Sequence, residues 1–314
     1  MESANNTHGA GFLLTQFSTV LWVNYVFFLL FLTIYLVTLL GNLLLILLRR
    51  THSPLQTPMY FFLSHLSVLD ICYTTTCVPK LLAIFLFNDT YISFLGCAIQ
   101  MFFSLALGAT ECLILAIMAY DRSVAIGNPL RYPVVMSPRT CILLTSACWI
   151  SGLANSFFHT TFTFCLPFCK SREMRHFFCE LLPLLKLSCG DTHAHEVAGF
   201  ASAVVIGLCA FLLTLFSYFQ IIVAILRIGS SLGRSKAFST CSSHLMVVII
   251  FYTTIMAVYM KPLSSYNPER ARVISVFYTV LIPMCNPIIY SIRNTEVKEA
   301  FTKSILKKCS PSKC

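Results

Sequence analysis

The chain has 314 residues, of which 57% are hydrophobic and only 11% are charged. Soluble domains carry about 25% charged residues, so this chain lacks the polar surface that a water-soluble protein needs. The same figures exclude an intrinsically disordered chain. The net charge of +10 does not indicate nucleic-acid binding, because no soluble segment is available to carry a basic face. The composition indicates a membrane protein.

Seven stretches are apolar enough to cross a bilayer as helices of about 20 residues. The first is the clearest, since no Asp, Glu, Lys or Arg occurs between Glu2 and Arg49. The predicted spans are 24–48, 58–80, 95–120, 141–163, 197–226, 237–260 and 272–292. We therefore predict an all-α membrane protein. Its parts are an amino-terminal tail at 1–23, a seven-helix domain at 24–292, and an amphipathic helix with a tail at 293–314.

The loops between these spans carry unequal positive charge. Of the 22 lysines and arginines, 14 fall on the side that holds the carboxyl terminus and 8 on the other. Positive charge is enriched in cytoplasmic loops, so we expect the amino terminus outside the cell and the carboxyl terminus in the cytoplasm, at the plasma membrane. Asn5 lies in a glycosylation sequon of the outer tail, which agrees with this orientation. A second sequon at Asn88 lies close to the membrane, and its use is left open.

The carboxyl-terminal segment shows an amphipathic pattern over residues 295–308. Lysines occupy much of the polar face, which favours contact with anionic lipids of the inner leaflet. The apolar face consists of Val297, Ala300, Phe301 and Ile305. Cys309 follows two lysines and could carry a palmitoyl group, although an unmodified thiol is an equal alternative.

The 15 cysteines are distributed between the predicted spans and the two sides of the membrane. Those inside spans are interpreted as small buried apolar residues. Cys97, Cys169, Cys179 and Cys189 lie on the predicted outer side, where disulfides form. Four cysteines allow three pairings, and Cys165 is a fifth candidate, so spacing alone does not choose among them.

Several segments resemble the olfactory (odorant) receptor family, and they follow one another in the family's order along the chain. They are Gly41-Asn42, L-Q-T-P-M-Y at 55–60, M-A-Y-D-R-S-V-A-I-G at 118–127, Ser217-Tyr218, K-A-F-S-T-C-S-S-H at 236–244 and P-M-C-N-P-I-I-Y at 283–290. H-F-F-C-E at 176–180 resembles the class II, tetrapod-type branch. The chain is thus identified as a member of this rhodopsin-like G-protein-coupled receptor family. A non-olfactory receptor of the same layout, for another small lipophilic ligand, is the alternative.

The resemblance implies a receptor for small volatile ligands that activates a stimulatory, olfactory-type G protein and raises cAMP. It also implies two disulfide bonds, Cys97–Cys179 and Cys169–Cys189. The sequence departs from the family pattern at Ser123 and Gly127, beside the G-protein surface, and at Cys285 in the seventh span. These departures bear on coupling strength and basal stability rather than on membership.

Asp70 and Glu111 are carboxylates inside predicted spans, where ionisable groups are costly. The resemblance places them near mid-membrane on neighbouring helices, together with Asn42. Two carboxylates in a low dielectric need a proton or a sodium ion, so sodium is the one cofactor that we consider. We interpret this cluster as a pivot between the ligand pocket and the cytoplasmic face. The alternative is a static polar core that only fastens helices together.

Coupling residues are expected at the cytoplasmic side. The resemblance implies that Arg122 engages the G protein when the sixth span swings outward, while the alternative is an arginine that snorkels to the interface. Tyr218 and Tyr290 would then turn inward. The expected coupling and activation residues are Asp121, Arg122, Tyr218, His244, Asn286, Pro287 and Tyr290.

A ligand pocket is expected between the outer halves of the third, fifth, sixth and seventh spans. On the third, fifth and sixth spans the candidates recur at helical spacing, and for every candidate the alternative is a residue that packs helices or faces lipid. They are Ser104, Leu105, Gly108, Ala109, Cys112, Ser202, Ala203, Ile206, Gly207, Tyr252, Ile255, Met256, Tyr259, Tyr278 and Thr279. This lining is apolar, with a few hydroxyls and no charge at that depth. It favours neutral hydrophobic ligands with one hydrogen-bonding group.

Enzymatic and metal-binding functions have little support. The sequence contains no zinc motif, nucleophile elbow or phosphate-binding loop. Cys189, His193 and His195 have metal-ligand chemistry, but the implied disulfide occupies Cys189. We therefore expect no catalytic residues and no metal site.

Overall fold

The structure, a computed structural model, describes residues 11–169, 171–259, 267–293, 297–299 and 302. Its α-helices, in chain order, are α1 (Leu21–Thr51), α2 (Pro58–Phe87), α3 (Phe94–Gly127), α4 (Tyr132–Val135), α5 (Pro138–Phe164), α6 (Leu181–Leu187), α7 (His193–Ser202), α8 (Cys209–Arg227), α9 (Ser231–Tyr259), α10 (Pro268–Val276) and α11 (Ile282–Arg293). Two π-helical segments, Ala203–Leu208 and Phe277–Leu281, join α7 to α8 and α10 to α11. A short 3-10 turn covers Ser53–Leu55.

The long helices form a seven-span bundle, as the sequence predicts. Within the described residues, six helical stretches are long and apolar enough to cross a membrane: α1, α2, α3, α5, His193–Arg227 and Pro268–Ser291. The sixth span is α9, which contains a described apolar stretch at His244–Ala257. The fold class is therefore confirmed.

The helices extend beyond the predicted apolar runs. α2 continues past Pro79 to Phe87, where Asn88 adopts a left-handed conformation with φ of 58° and ends the helix. The fifth span begins at His193, four residues before its predicted start. Hydropathy detects where polar residues begin, whereas a helix ends where its backbone is capped, so helices reach past the apolar core of the bilayer.

α3 is the central helix of the bundle. It packs against α2, α5 and α8 and also contacts α9. Its contact with α5 is close at Gly152, where an added Cβ would lie 2.7 Å from the backbone oxygen of Ala106. Only a glycine permits the two backbones to approach this far.

A small β-sheet closes one end of the bundle, which we call the sheet end. Its strands are β1 (Phe12–Leu14), β2 (Tyr91–Ile92) and β3 (Glu173–Met174), in the order β2-β1-β3. β1 runs antiparallel to β2, with Phe12 opposite Ile92, and parallel to β3, with Leu13 opposite Glu173. The opposite end of the bundle carries Arg122, and we call it the arginine end.

Parts of the predicted tails lie outside the described residues. These include Asn5, Cys309 and most of the predicted amphipathic helix at 295–308. Where that helix is described, Val297 is buried in the main core, and Lys298 and Glu299 are exposed.

Gly152→Ala is expected to lower the free energy of unfolding by about 1–3 kcal/mol, because the new methyl group overpacks the contact between α3 and α5. The measurement is the thermal midpoint of the purified protein. Gly127→Ala is the matched control, since nothing lies within 4 Å of an added Cβ at the end of α3. Equal midpoints for the two variants would contradict the close-packing argument.

Candidate functional site

A cavity of about 560 Å³ lies toward the sheet end, between the third, fourth, fifth, sixth and seventh spans. This volume falls within the range typical of small-molecule sites. The cavity is lined by most of the residues that the sequence singles out: Ser104, Leu105, Gly108, Ala109, Cys112, Ser202, Ala203, Ile206, Gly207, Tyr252, Ile255, Met256 and Tyr278.

Two candidates do not join this lining. Thr279 is fully buried, and its hydroxyl donates to the backbone oxygen of Ser275 at 2.7 Å. It follows Tyr278 directly, and successive side chains of a helix point about 100° apart, so Tyr278 faces the cavity and Thr279 does not. Tyr259 is the last residue of α9, and its side chain lies outside the described part of the structure.

The cavity wall also contains ionisable residues that the predicted lining lacks. Glu196 and three histidines, His159, His193 and His195, belong to the cavity wall. Three of these four lie in the first turn of α7, which the sequence prediction left outside the fifth span. The fourth span also contributes Asn155 and His159. Polar residues four apart in an apolar helix share one face, and that spacing is the signal that could have found this pair.

The cavity has an apolar side and a tyrosine at its base. Tyr252 is buried, and its hydroxyl donates to the backbone oxygen of Cys112 at 3.0 Å. The same hydroxyl lies 3.5 Å from Thr214 of α8. Because Tyr252 belongs to α9, these contacts tie the sixth span to the third and fifth directly beside the ligand space.

A buried polar network joins the loop after α5 to the seventh span. Tyr278 donates from its hydroxyl to Glu180 at 2.7 Å, and Ser275 lies 2.8 Å from the same hydroxyl. The Nε2 atom of His176 lies 3.1 Å from the Ser275 hydroxyl and 3.4 Å from Glu180. Tyr278 lines the cavity, so the loop that covers the sheet end contacts a cavity residue directly.

Two disulfide bonds hold this covering loop. Cys97 of α3 is bonded to Cys179, and Cys169 is bonded to Cys189. Gln100 strengthens the first attachment, because its side-chain oxygen accepts the backbone N–H of Cys179 at 2.9 Å. Cys165 is a free, exposed thiol.

The carboxylates inside the bundle form a buried polar core. The amide of Asn286 donates to both oxygens of Asp70 at 3.1 Å, which ties the seventh span to the second. Glu111 is buried and lies within electrostatic reach of Asp70. One oxygen of Glu111, the Asn286 amide oxygen and the Ser67 hydroxyl are buried without a partner among the described residues.

Asn42 repairs a backbone defect that a proline creates. Pro287 has no N–H, so the carbonyl of Pro283 loses its helical donor. The Asn42 amide donates to that carbonyl at 3.2 Å and to the Thr38 carbonyl at 3.0 Å. Gly41 makes the approach feasible, since an added Cβ there would lie 3.0 Å from the Pro287 ring. Gly41-Asn42 and Asn286-Pro287 therefore form one structural unit.

Five of the seven predicted coupling residues, Asp121, Arg122, Tyr218, His244 and Tyr290, lie together at the arginine end, whereas Asn286 and Pro287 lie in the polar core. Tyr218 of α8 and His244 of α9 are joined by a 2.8 Å hydrogen bond. Arg122 lies within electrostatic reach of Tyr218, Tyr290 and His244. The hydroxyl of Tyr290 is buried and has no partner among the described residues.

Tyr132 is a member of this end that sequence reasoning missed. It belongs to the short helix α4, and its hydroxyl donates to Asp121 at 2.9 Å. Burial and the negative charge of Asp121 raise the pKa of Tyr132, so it remains a protonated donor. This bond anchors the loop after α3 beside Arg122.

Comparison with known proteins identifies the family. A family model described as olfactory receptor matches residues 31–308. The chain belongs to the olfactory receptor family. It is similar to olfactory receptor 10C1 of Homo sapiens, with 49% identity over 97% of this chain and 98% of that protein. It is also similar to olfactory receptor 5AP2 of Mus musculus, with 48% identity over 96% of each chain.

Family membership establishes the general function. The protein is an odorant receptor, a multi-pass membrane protein that signals rather than a member of a known enzyme class. The cavity is large enough to hold a small molecule. The arginine end lies at the opposite end of the bundle.

Acidification is expected to destabilise the covering loop. Burial lowers the pKa of His176 from its usual 6.5, Arg272 lowers it further, and Glu180 and the Phe178 carbonyl only partly oppose them. A histidine held neutral in the folded state binds its proton more readily once unfolded, so the free energy of unfolding falls as pH drops below about 6.5.

The measurement is the thermal midpoint of purified receptor between about pH 7.5 and about pH 5.5. The decrease should be smaller for His176→Gln than for the wild type, and unchanged for His52→Gln at the arginine end. An equal decrease in His176→Gln and wild type would show that another group carries the pH dependence.

Proposed function

We propose that this odorant receptor binds small, neutral, hydrophobic volatile ligands in the cavity and activates a stimulatory, olfactory-type G protein that raises cAMP. The observation that carries this proposal is a cavity bounded by the third, fifth and sixth spans, which also pack together at the arginine end. Most of its lining is aliphatic, aromatic or small, and no lysine or arginine belongs to the described lining. A carboxylate ligand would therefore have no fixed counter-charge.

The sheet end faces the extracellular side in this proposal. Both disulfides lie there, and disulfides form in oxidising compartments. The arginine end is rich in lysine and arginine, as expected for the cytoplasmic side. The receptor then lies in the plasma membrane with its amino terminus outside.

Activation follows from the hydrogen bonds that hold α9. A ligand beside Tyr252 competes with the bond to the Cys112 carbonyl, and the bundle shifts toward conformations in which α9 is released from α3. The bond between Tyr218 and His244 ties α9 to α8 at the other end. Opening at that end exposes Arg122 to the G protein.

A sodium ion fits the polar core. Hard cations prefer oxygen ligands, and this core contains two carboxylates together with buried amide and hydroxyl oxygens that lack partners among the described residues. Asp70, Glu111, Asn286 and Ser67 would hold the ion. Its charge would compensate the two carboxylates and favour the closed arrangement of the bundle.

Arg122→Ala is expected to abolish the cAMP response to an active volatile, because the coupling cation is lost while the cavity is untouched. The assay is a cAMP reporter in cells that express the full chain, tested against a panel of volatiles. Staining of an amino-terminal epitope on unpermeabilised cells controls for expression and also tests the proposed orientation. Arg131→Ala is the matched control, since Arg131 is an exposed arginine at the same end. A full response from Arg122→Ala would overturn the role of that residue.

Sodium is expected to raise the thermal midpoint of purified receptor relative to an equal concentration of N-methylglucamine, because the ion compensates buried charge. Asp70→Asn and Glu111→Gln should remove most of the difference. A difference that persists in both variants would place any sodium effect elsewhere in the protein.

A further inference from the structure

The cavity walls differ in chemistry from one side to the other. The third and sixth spans present mainly apolar groups, among them Leu105, Phe251 and Met256. The fourth and fifth spans present Asn155, His159 and Ser202. His193, His195 and Glu196 lie on the same side in the first turn of α7, so a ligand with one polar end finds its polar partners mainly on the fourth and fifth spans.

His159 and Ser202 form a hydrogen-bonded pair across two spans. The Nε2 atom of His159 lies 2.7 Å from the Ser202 hydroxyl oxygen, and His159 is only 3% exposed. If the imidazole accepts, the serine oxygen keeps lone pairs free to accept from a ligand. If the imidazole donates, the serine O–H is free to donate to a ligand. Either tautomer leaves Ser202 able to form one more hydrogen bond.

Asn155 adds a second polar group to the same wall. It lies one helical turn before His159 on α5 and also lines the cavity. Its amide has no hydrogen-bonding partner among the described residues, although it is only partly exposed. An amide offers both donors and an acceptor. Asn155 and Ser202 together therefore match a group that both donates and accepts.

We propose that Asn155 and the His159–Ser202 pair form a polar subsite that selects ligands bearing a hydroxyl group, namely aliphatic or aromatic alcohols. This inference rests on the proposed function, because it names the ligand class of the same cavity. A hydroxyl satisfies Ser202 in either tautomer of His159, whereas an aldehyde, ketone or ether oxygen can only accept. A hydrocarbon would displace water from these polar groups without replacing its hydrogen bonds, which is costly.

The carboxylate of Glu196 does not make amines the preferred ligand class. One of its oxygens accepts the Thr192 hydroxyl at 2.8 Å. It lies six residues before Ser202, about 9 Å along the helix, toward the sheet end. An amine bound there would leave the subsite empty.

Ser202 also lies at the point where the fifth span changes its helix geometry. It is the last residue of α7, and the π-helical segment Ala203–Leu208 follows it directly. Such segments interrupt regular helical hydrogen bonding and often occur at functional sites. A ligand held by Ser202 therefore acts where the fifth span departs from α-helical geometry.

The test uses the full chain and two readouts: the cAMP reporter in cells and the thermal midpoint of purified receptor. The probes are alcohols of six to ten carbons, with aldehydes, methyl ethers and hydrocarbons of matched carbon number. Wild-type receptor should respond to its best alcohol at a concentration about 10-fold lower than to the matched ether. The same alcohol should raise the thermal midpoint most.

Two variants remove the subsite by different routes. Ser202→Ala and Asn155→Leu should each reduce the alcohol preference to within about threefold, while Ser202→Thr, which keeps the hydroxyl, should retain it. Ser151→Ala is the matched control, because Ser151 is an exposed residue of α5 that is not part of the lining. Surface staining reports whether each variant folds.

The outcomes separate this inference from the proposed function. Responses to volatiles without an alcohol preference, or amines as the most potent class, would overturn the inference and leave the receptor function standing. A preference that persists in both Ser202→Ala and Asn155→Leu would also overturn it. Failure of every probe in both readouts would count against the inference and the proposed ligand class together.

Discussion

The bilayer requires every backbone polar group inside the bundle to find a partner within the protein, and the packing of the first and seventh spans follows from that requirement. Pro287 takes a donor away from the Pro283 carbonyl, and Asn42 supplies one. Gly41 must therefore lack a side chain so that the two helices can approach. Asn286, next to Pro287, is then held against Asp70. The missing N–H of Pro287 thus determines how the first, second and seventh spans meet.

The central position of α3 connects the ligand space to the coupling surface. Its residues line the cavity, contribute Glu111 to the polar core and carry Arg122 at the opposite end. α9 also runs from the cavity to the arginine end. Tyr252 ties it to α3 at the cavity, and His244 ties it to α8 at the arginine end. In the proposed activation, a ligand that weakens the first tie also affects the second, because both ties belong to the same helix.

Hydropathy and motif order predict the seven spans and most of the cavity wall, since one face of a helix can be read from residue spacing. Thr279 does not join the wall because it points away from the face that its neighbour Tyr278 presents to the cavity. Glu196 and His193 are missed because a helix can begin before the apolar stretch that hydropathy detects. Asn155 and His159 carry a readable spacing signal, but their role depends on which face of α5 meets the cavity. That choice is a property of packing and not of α5 alone.

The sequence by itself determined the class of the protein. Scarce charge, seven apolar runs and ordered motifs are local properties, and the bilayer converts them directly into helices. Only the tertiary structure decided which polar groups meet: Asn42 with the Pro283 carbonyl, Tyr132 with Asp121, Glu180 with Tyr278, and His159 with Ser202. These partners are 11 to 241 residues apart in the chain. Their pairing depends on helix rotation and loop placement, which arise when the whole bundle packs at once.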